Sequence, residues 1–298
     1  MDEPDVTRFA PSPNGPLHLG HALSALVGFQ WARSGKRRFL VRIEDIDPQR
    51  SCAEHVAGIL EDLDWLGIVS DGPLRRQSEH LDDYRAATRQ LEKMGLVYPC
   101  FATRGEIAAE IRRRAANGVL TPADPDGTPL YPGICRDLPQ EVVERRKSAG
   151  EPFALRIDMA RALAMASRLA NGLPLTFLAE DDAGNLVRRA ADPSRWGDAV
   201  IVRKDTPTSY HLAVVVDDAL QGVTRVTRGE DLLAATDLHR LLQVLLGLPE
   251  PRYHHHALLR GPDGRKLSKS EGAESLGQLR ARGVTPAEIR QLIGLPAR

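Results

Sequence analysis

The chain has 298 residues, of which 42% are hydrophobic and 27% are charged, and its forty basic residues balance its forty acidic residues. This length and composition predict a globular protein with a substantial core, in one large domain or two smaller ones. A net charge of zero gives no overall attraction to a polyanion, so a nucleic acid would have to meet a local patch.

The N-terminus and the cysteines indicate where such a chain works. The opening MDEPDVTRFA is acidic and lacks the apolar segment of a signal peptide, and no stretch reaches the roughly 18 apolar residues of a membrane span. Cys52, Cys100 and Cys135 are too few and too scattered for a disulfide framework. We therefore expect a cytoplasmic protein without a membrane partner.

The first elements predict a βαβ unit. VTRFAPSP is typical of a strand that breaks at Pro11, and RRFLVRIEDID is typical of a second strand. Between them, apolar residues recur at helical spacing up to a stop at Gly35: Leu19, Leu23, Leu26, Val27 and Trp31. Strand, helix and strand at this spacing predict a parallel sheet with helices on its faces.

The rest of the chain divides by texture. Two amphipathic helices are expected around 51–65 and 78–95, and residues 98–194 are rich in Pro and Gly around a helical run (GEIAAEIRRRAANG) and a short strand (FALRIDM). Sheet-like segments return with DAVIVRKD, HLAVVVDDAL and TRVTRGEDLL, before the helix-like DLHRLLQVLLGL. We predict an α/β domain formed by 1–97 and 195–275, an inserted α+β subdomain at 98–194, and a short helical tail at 276–298.

The stretch RFAPSPNGPLHLGHA places His18 and His21 at the start of the first predicted helix. A helix N-terminus attracts phosphate, both rings could donate to phosphate oxygens, and Gly20 would leave space for a flat ring. Two histidines at this spacing can also cap the helix or pack against neighbouring side chains. Without further signals, this structural role would be the preferred interpretation.

A second motif, GPDGRKLSKSEG, strengthens the phosphate interpretation. Lys266 and Lys269 are spaced so that both ammonium groups can reach one anion, and the hydroxyls of Ser268 and Ser270 can add donors. Preplaced cations suit phosphoryl chemistry, in which charge develops in the transition state. Alone, this loop would be read as a solvated surface segment.

Together the two motifs resemble those of class I aminoacyl-tRNA synthetases, HLGH matching HIGH and KLSKS matching KMSKS. The blocks RFAPSPNGPLHLGHA, VRIEDID, SYHLAVVVDDALQGVTRVTRGEDL and GPDGRKLSKS resemble the glutamyl branch and span most of the chain in the expected order. The resemblance implies a Rossmann-type catalytic domain split by an insertion at the position of the acceptor-binding subdomain, which agrees with the change of texture at 98–194.

The resemblance also implies residue roles. L-glutamate would be bound by two guanidiniums, a carboxylate for its ammonium group and neighbouring groups: Arg8, Ala10, Ser12, Glu44, Tyr210 and Arg228. ATP would be bound, with Mg²⁺, by the two motifs: His18, Gly20, His21, Lys266, Ser268 and Lys269. His18, His21, Lys266 and Lys269 would be the catalytic set, which acts by position and charge while the glutamate carboxylate attacks the α-phosphate.

The length after the lysine motif bears on the acceptor. The segment that follows Ser270 has room for little more than two short helices, so we expect no anticodon-binding domain. This order resembles the truncated paralogues of glutamyl-tRNA synthetase, which place glutamate on the queuosine base in the anticodon of tRNA(Asp). Queuosine-bearing tRNA(Asp) is thus implied by the resemblance alone.

The paralogues often hold zinc in the insertion through a Cys-x-Cys pair and a later Tyr-x-x-x-Cys. Cys100, Tyr131 and Cys135 match this pattern, but Ala102 stands where the second cysteine belongs. Because structural zinc sites require four ligands, we expect no zinc. His254, His255 and His256 are no substitute, since consecutive residues of a strand point to opposite faces.

Three other functions are compatible with parts of this pattern. A truncated glutamyl-tRNA synthetase would charge the 3′ end of tRNA(Glu), and a catalytically silent synthetase-like module would bind tRNA or an amino acid for regulation. A nucleotidyltransferase of small-molecule metabolism would also use His-x-Gly-His, but would not account for Arg8, Glu44, Tyr210 and Arg228 together.

Overall fold

The structure is a computed structural model that describes residues 4–260 and 274–296. The described strands are β1 (Val6–Phe9), β2 (Arg38–Ile43), β3 (Arg75–Arg76), β4 (Val97–Cys100), β5 (Ala154–Ile157), β6 (Thr176–Glu180), β7 (Leu186–Ala190), β8 (Val200–Val202), β9 (Arg225–Gly229) and β10 (Arg252–His256). The described helices are α1 (Leu19–Arg33), α2 (Ala53–Trp65), α3 (Leu81–Lys93), α4 (Arg104–Ala116), α5 (Gln140–Ser148), α6 (Met159–Leu169), α7 (Tyr210–Leu220), α8 (Ala235–Leu246), α9 (Leu276–Ala281) and α10 (Pro286–Leu292).

The main sheet, as far as the chain is described, has seven strands in the order β3-β2-β1-β9-β10-β6-β7. All neighbours in it pair in parallel except the hairpin of β6 and β7. The predicted α/β class with a Rossmann-like parallel sheet is therefore confirmed, and β1, α1 and β2 form the predicted βαβ unit.

Helix α1 covers one face of this sheet because its apolar residues face the strands. Leu26 and Ala25 are fully buried and Leu23 nearly so, in a core that also contains Phe39 and Ile43 of β2. The short helices α9 and α10 contribute Leu276 and Ile289 to the same core. Residues 274–296, which follow the lysine motif, are thus packed on the same face of the sheet as α1.

The segment HLAVVVDDAL, which was predicted to be sheet-like, forms the helix α7, so this prediction was wrong. It packs into a second core with α3, α6 and α8. Most of this helix is buried, so its apolar residues follow one another without the helical period that would have distinguished it from a buried strand. Within the apolar run, the buried carboxylates of Asp217 and Asp218 are held by buried arginines.

The strand pairing differs from the predicted division of the chain at two places. Strands β6 and β7, within 98–194, join the main sheet through β10, and β8, beyond that range, pairs with β5 in a second sheet of order β4-β5-β8. The Pro and Gly content of residues 98–194 indicated the region where the chain leaves the main sheet. Which sheet each strand joins is decided by long-range pairing. The domain bounds themselves stay a prediction.

Within residues 4–260 and 274–296, no helix combines the length and the apolarity that a bilayer crossing requires.

Candidate active site

A cavity of about 510 Å³ lies at the carboxyl ends of β1, β2 and β9. Ligands collect at this edge of a parallel sheet because the loops that follow the strands converge there. The walls contain every predicted glutamate-binding residue and the predicted residues of the histidine motif: Arg8, Ala10, Ser12, His18, Gly20, His21, Glu44, Tyr210 and Arg228. The fold therefore brings together side chains from positions 8 to 228.

The two histidines form a reciprocal cap at the N-terminus of α1. His18 Nδ1 accepts the backbone N–H of Gly20 at 3.1 Å, and His21 Nδ1 accepts the backbone N–H of His18 at 3.1 Å. Because each Nδ1 is an acceptor, a neutral ring carries its proton on Nε2 and donates from there. Capping and ligand binding, which the sequence left as alternatives, are thus compatible in one arrangement.

Gly20 has a steric reason to lack a side chain. A Cβ atom at this position would lie 3.0 Å from Cε1 and 3.1 Å from Nδ1 of the His18 ring. The cap therefore requires the close approach of the His18 ring to the backbone of Gly20, which any larger residue would disturb.

Arg8 pairs with a carboxylate of this chain. Its Nε and Nη2 donate to Oδ1 and Oδ2 of Asp218 at 2.9 and 3.2 Å, a bidentate pair that is buried on both sides. This pair orients the guanidinium at the cavity wall. The role in glutamate binding that the resemblance implies for Arg8 stays a prediction.

Arg42 was not among the predicted site residues. It is completely buried, with Nη2 at 2.6 Å from Asp218 Oδ1 and Nε at 3.6 Å from Glu44 Oε1 and 3.8 Å from Asp217 Oδ2. Two adjacent acids in the apolar run AVVVDDAL are the signal that could have predicted such a buried partner, because isolated buried carboxylates are costly.

Glu44 follows β2 and lines the cavity, with an exposed fraction of 8%. Burial raises the pKa of its carboxyl group to about 7, against the attraction of Arg42 and Arg8, which favours the charged form. Near neutral pH the group therefore changes between a neutral acid and a carboxylate that can hold a cation.

Arg228, at the end of β9, is surrounded by neutral groups. Its guanidinium contacts Thr236, His239, His255 and the hydroxyl of Tyr210 at 2.7 to 3.4 Å. Burial raises the pKa of Tyr210, so its hydroxyl stays protonated. His239 and His255, on α8 and β10, were not among the predicted site residues, and only their contacts in the folded protein connect them with Arg228.

Lys266, Ser268 and Lys269 lie outside the described residues. The chain returns beside the histidine motif, where the backbone N–H of Leu276 donates to the carbonyl of Leu17 at 2.8 Å and Ser275 pairs with His18. The flank of the lysine motif is therefore attached to the histidine motif, which lines the cavity.

The three residues of the incomplete zinc pattern lie together, but they do not offer the four donors of a structural zinc site. Cys100 Sγ lies 3.3 Å from Tyr131 Oη, which also accepts the backbone N–H of Cys135 at 2.9 Å. Ala102 lies in the same small apolar cluster and offers a methyl group in place of a fourth donor. Among the described residues, three or more metal-binding side chains nowhere form a group that could hold a metal.

Comparison with known proteins agrees with this architecture. The model of the family "tRNA synthetases class I (E and Q), catalytic domain" matches residues 6–296. A Glutamyl-Q tRNA(Asp) synthetase of Rhodobacter capsulatus is 46% identical over 292 residues, which cover 97% of this chain and all of that protein. A glutamate–tRNA ligase of Aquifex aeolicus is 39% identical over 283 residues, but the match spans 55% of its length.

Solved structures show the same relationship. A glutamate tRNA ligase from Elizabethkingia meningosepticum, solved with its amino acid, superposes with a TM-score of 0.72 at 31% identity, over 91% of this chain and 53% of that one. The parallel sheet, the cavity at its carboxyl edge and these matches lead to one conclusion: the chain belongs to the class I tRNA synthetase family of the E and Q type.

Proposed function

We propose that the protein activates L-glutamate with ATP to glutamyl-adenylate and transfers the glutamate to the queuosine base of tRNA(Asp). The observation that carries the activation step is the convergence of two guanidiniums, one carboxylate and a helix N-terminus on one cavity. The two guanidiniums suit the two carboxylates of glutamate, the carboxylate suits its ammonium group, and the helix N-terminus suits the triphosphate of ATP. Relatives named Glutamyl-Q tRNA(Asp) synthetase, which this chain matches over 95% or more of its length, support the acceptor.

In this proposal Glu44 holds the α-ammonium group of glutamate, and Arg8 and Arg228 attract its carboxylates. Arg228 is suited to this because its described partners are neutral, so its charge is available to a ligand. Arg8 shares Asp218 with Arg42, and this pair holds its guanidinium in place beside Ala10 and Ser12. Tyr210 adds a hydroxyl between these groups.

The ATP end of the proposed site begins at α1. The helix N-terminus attracts the phosphates, and His18 and His21 donate through Nε2, with Gly20 allowing the cap to form. Lys266, Ser268 and Lys269 would complete the phosphate site. The pairing of Ser275 with His18 supports this assignment because it attaches the flank of the lysine motif to the histidine motif.

The proposed reaction forms a bond from a carboxylate oxygen of glutamate to the α-phosphorus and breaks the bond to the bridging oxygen, which leaves with pyrophosphate. No side chain acts as a nucleophile, so the protein contributes position and positive charge. Mg²⁺ would enter with the triphosphate and neutralise part of its charge, and we assign it no ligand among the described residues. Zinc has no part in the proposal.

The acceptor is tested with labelled glutamate, ATP and three RNAs: tRNA(Asp) with queuosine, tRNA(Asp) without it, and tRNA(Glu). The labelled RNA is then cut with a base-specific ribonuclease, and the fragment that carries the glutamyl group is identified by mass spectrometry. We expect the label only on queuosine-bearing tRNA(Asp) and only in the anticodon fragment.

Other outcomes would replace the proposal. Label in the 3′-terminal fragment of tRNA(Glu) would assign the chain to 3′-end charging, as the glutamate–tRNA ligases among its relatives are named. The absence of label on every RNA, together with the absence of glutamate-dependent ATP cleavage, would favour a silent regulatory module.

A further inference from the structure

The surroundings of Arg228 are unusual for a buried guanidinium. Its exposed fraction is 5%, it lines the cavity, and no ion pair joins it to a carboxylate in the part of the chain that the structure describes. A buried charge without a partner is expensive unless each of its donors finds an acceptor. Here the acceptors are side chains of β10, α8 and α7.

The acceptors are two ring nitrogens and two hydroxyls, one of which is that of Tyr210 at 3.4 Å. Nη1 of Arg228 contacts His239 Nδ1 at 3.2 Å, Nε donates to His255 Nε2 at 3.2 Å, and Nη2 donates to Thr236 Oγ1 at 2.7 Å. A guanidinium can only donate. Both histidine nitrogens that face it are therefore unprotonated acceptors, which fixes the tautomers of the two rings.

A third histidine, His211, extends the series of hydrogen bonds that begins at Arg228. With Nδ1 of His239 accepting, its proton is on Nε2, which lies 3.2 Å from Nδ1 of His211 and donates to it. Burial and the charge of Arg228 lower the pKa of His239, that of His211 to about 4 and that of His255 to about 2. All three rings are thus neutral at neutral pH.

Packing holds these acceptors in place. The rings of His255 and Tyr253 are stacked with an angle of 7° between their planes, and the ring of His211 lies edge-on to Trp196. The guanidinium of Arg228 also lies 5.4 Å from the centre of the Tyr253 ring. The acceptors are therefore oriented before any ligand arrives, which reduces the entropy lost on binding.

We propose that His239 and His255 are positioning residues which orient Arg228 toward the cavity while leaving its charge uncompensated for a carboxylate of the substrate. This inference rests on the proposed function, in which that carboxylate belongs to glutamate. A carboxylate in place of either histidine would orient Arg228 equally well but would neutralise it. The use of neutral acceptors is therefore what makes the site attractive to an acidic ligand.

The test compares two variants of nearly equal shape, His239→Asn and His239→Asp. In either variant, an oxygen can replace Nδ1 as the acceptor, so the two differ mainly in the charge placed against Arg228. Glutamate binding to each purified protein is measured by equilibrium dialysis with labelled L-glutamate, and the KM for ATP is measured alongside. We expect the Asp variant to bind glutamate about 10- to 100-fold more weakly than the Asn variant, with similar KM values for ATP.

A second pair, His255→Gln and His255→Glu, places the new group at Nε2 and keeps the test available if a His239 variant does not fold. Equal glutamate affinity within both folded pairs, or equal changes in the KM values for both substrates, would overturn the inference and leave a purely structural role. If the wild-type protein itself does not bind glutamate, the proposed function fails instead.

Discussion

Arg8 and Asp218 are 210 positions apart in the chain, and in the folded protein they form a bidentate pair with distances of 2.9 and 3.2 Å. Arg42 shares the same carboxylate at 2.6 Å, so one buried acid orients two guanidiniums. Burial alone would raise the pKa of Asp218, but the guanidiniums of Arg8 and Arg42 outweigh this effect and lower it. The wall of the candidate glutamate site thus depends on a residue of α7 that need not touch the ligand.

Removal of this shared carboxylate should destabilise the protein. We expect Asp218→Ala to lower the free energy of unfolding by about 3–5 kcal/mol, because it removes the carboxylate that pairs with the buried guanidinium of Arg8 and the shortest ion pair of the buried Arg42. Asp218→Asn keeps an acceptor and should cost less. Urea denaturation measures both, with Asp82→Ala at an exposed pair as the control that leaves the midpoint unchanged. Equal midpoints for Asp218→Ala and wild type would contradict the assigned role.

The pH dependence of catalysis should report Glu44. Below its pKa of about 7 the group is neutral and holds an ammonium group poorly, and above it the carboxylate is present. We therefore expect kcat/KM for glutamate to rise through about pH 7 and then level off, since this ratio reports the free enzyme. The same ratio for ATP at saturating glutamate serves as the control. A glutamate profile that is flat from pH 6 to about pH 8 would contradict the assignment.

The pH dependence of stability should report the neutral histidines. Below about pH 6.5, the unfolded chain protonates His211, whereas the folded chain resists protonation down to about pH 4. Folding therefore loses stability as the pH falls through this window. His211→Asn removes the titrating ring, so the variant does not lose this stability. Between pH 7 and pH 5, the free energy of unfolding of the wild type should therefore fall by about 1–2 kcal/mol more than that of the variant. A pH-independent difference between the two proteins would refute this account.

The cluster of Cys100, Tyr131 and Cys135 should not retain zinc. We expect the purified protein to hold much less than one zinc ion per chain after dialysis against a chelator, because Ala102 supplies no fourth donor. Ala102→Cys should raise the zinc content toward one per chain. Elemental analysis of both proteins decides the matter, and a tightly held zinc ion in the wild type would show that three donors suffice here.

The lysine motif makes the simplest prediction about activity. Lys269→Ala should abolish glutamate-dependent pyrophosphate exchange, with a loss on the order of 10²- to 10³-fold if one preplaced cation is removed. Circular dichroism should show an intact fold, and Lys36→Ala, in the exposed turn after α1, is the matched control. An unchanged exchange rate would remove the motif from the proposed mechanism.

The sequence alone determined the parts of this protein that depend on local pattern. The alternation of β1 and β2 and the helical spacing after His18 were enough to predict the βαβ unit, since each element is set by its own period. The resemblance carried by short motifs then named the residues that line the cavity, from Arg8 to Arg228. Their individual roles stay predictions.

Only the tertiary structure decided how those residues are held. The apolar run in α7 is ambiguous between strand and helix until its burial is known, and the β6–β7 hairpin joins the main sheet through a strand far along the chain. Asp218 reaches Arg8, and His239 reaches Arg228, across contacts that no local period encodes. Buried charges select their partners by proximity in the folded state, and folding brings together elements whose separation in sequence carries no such signal.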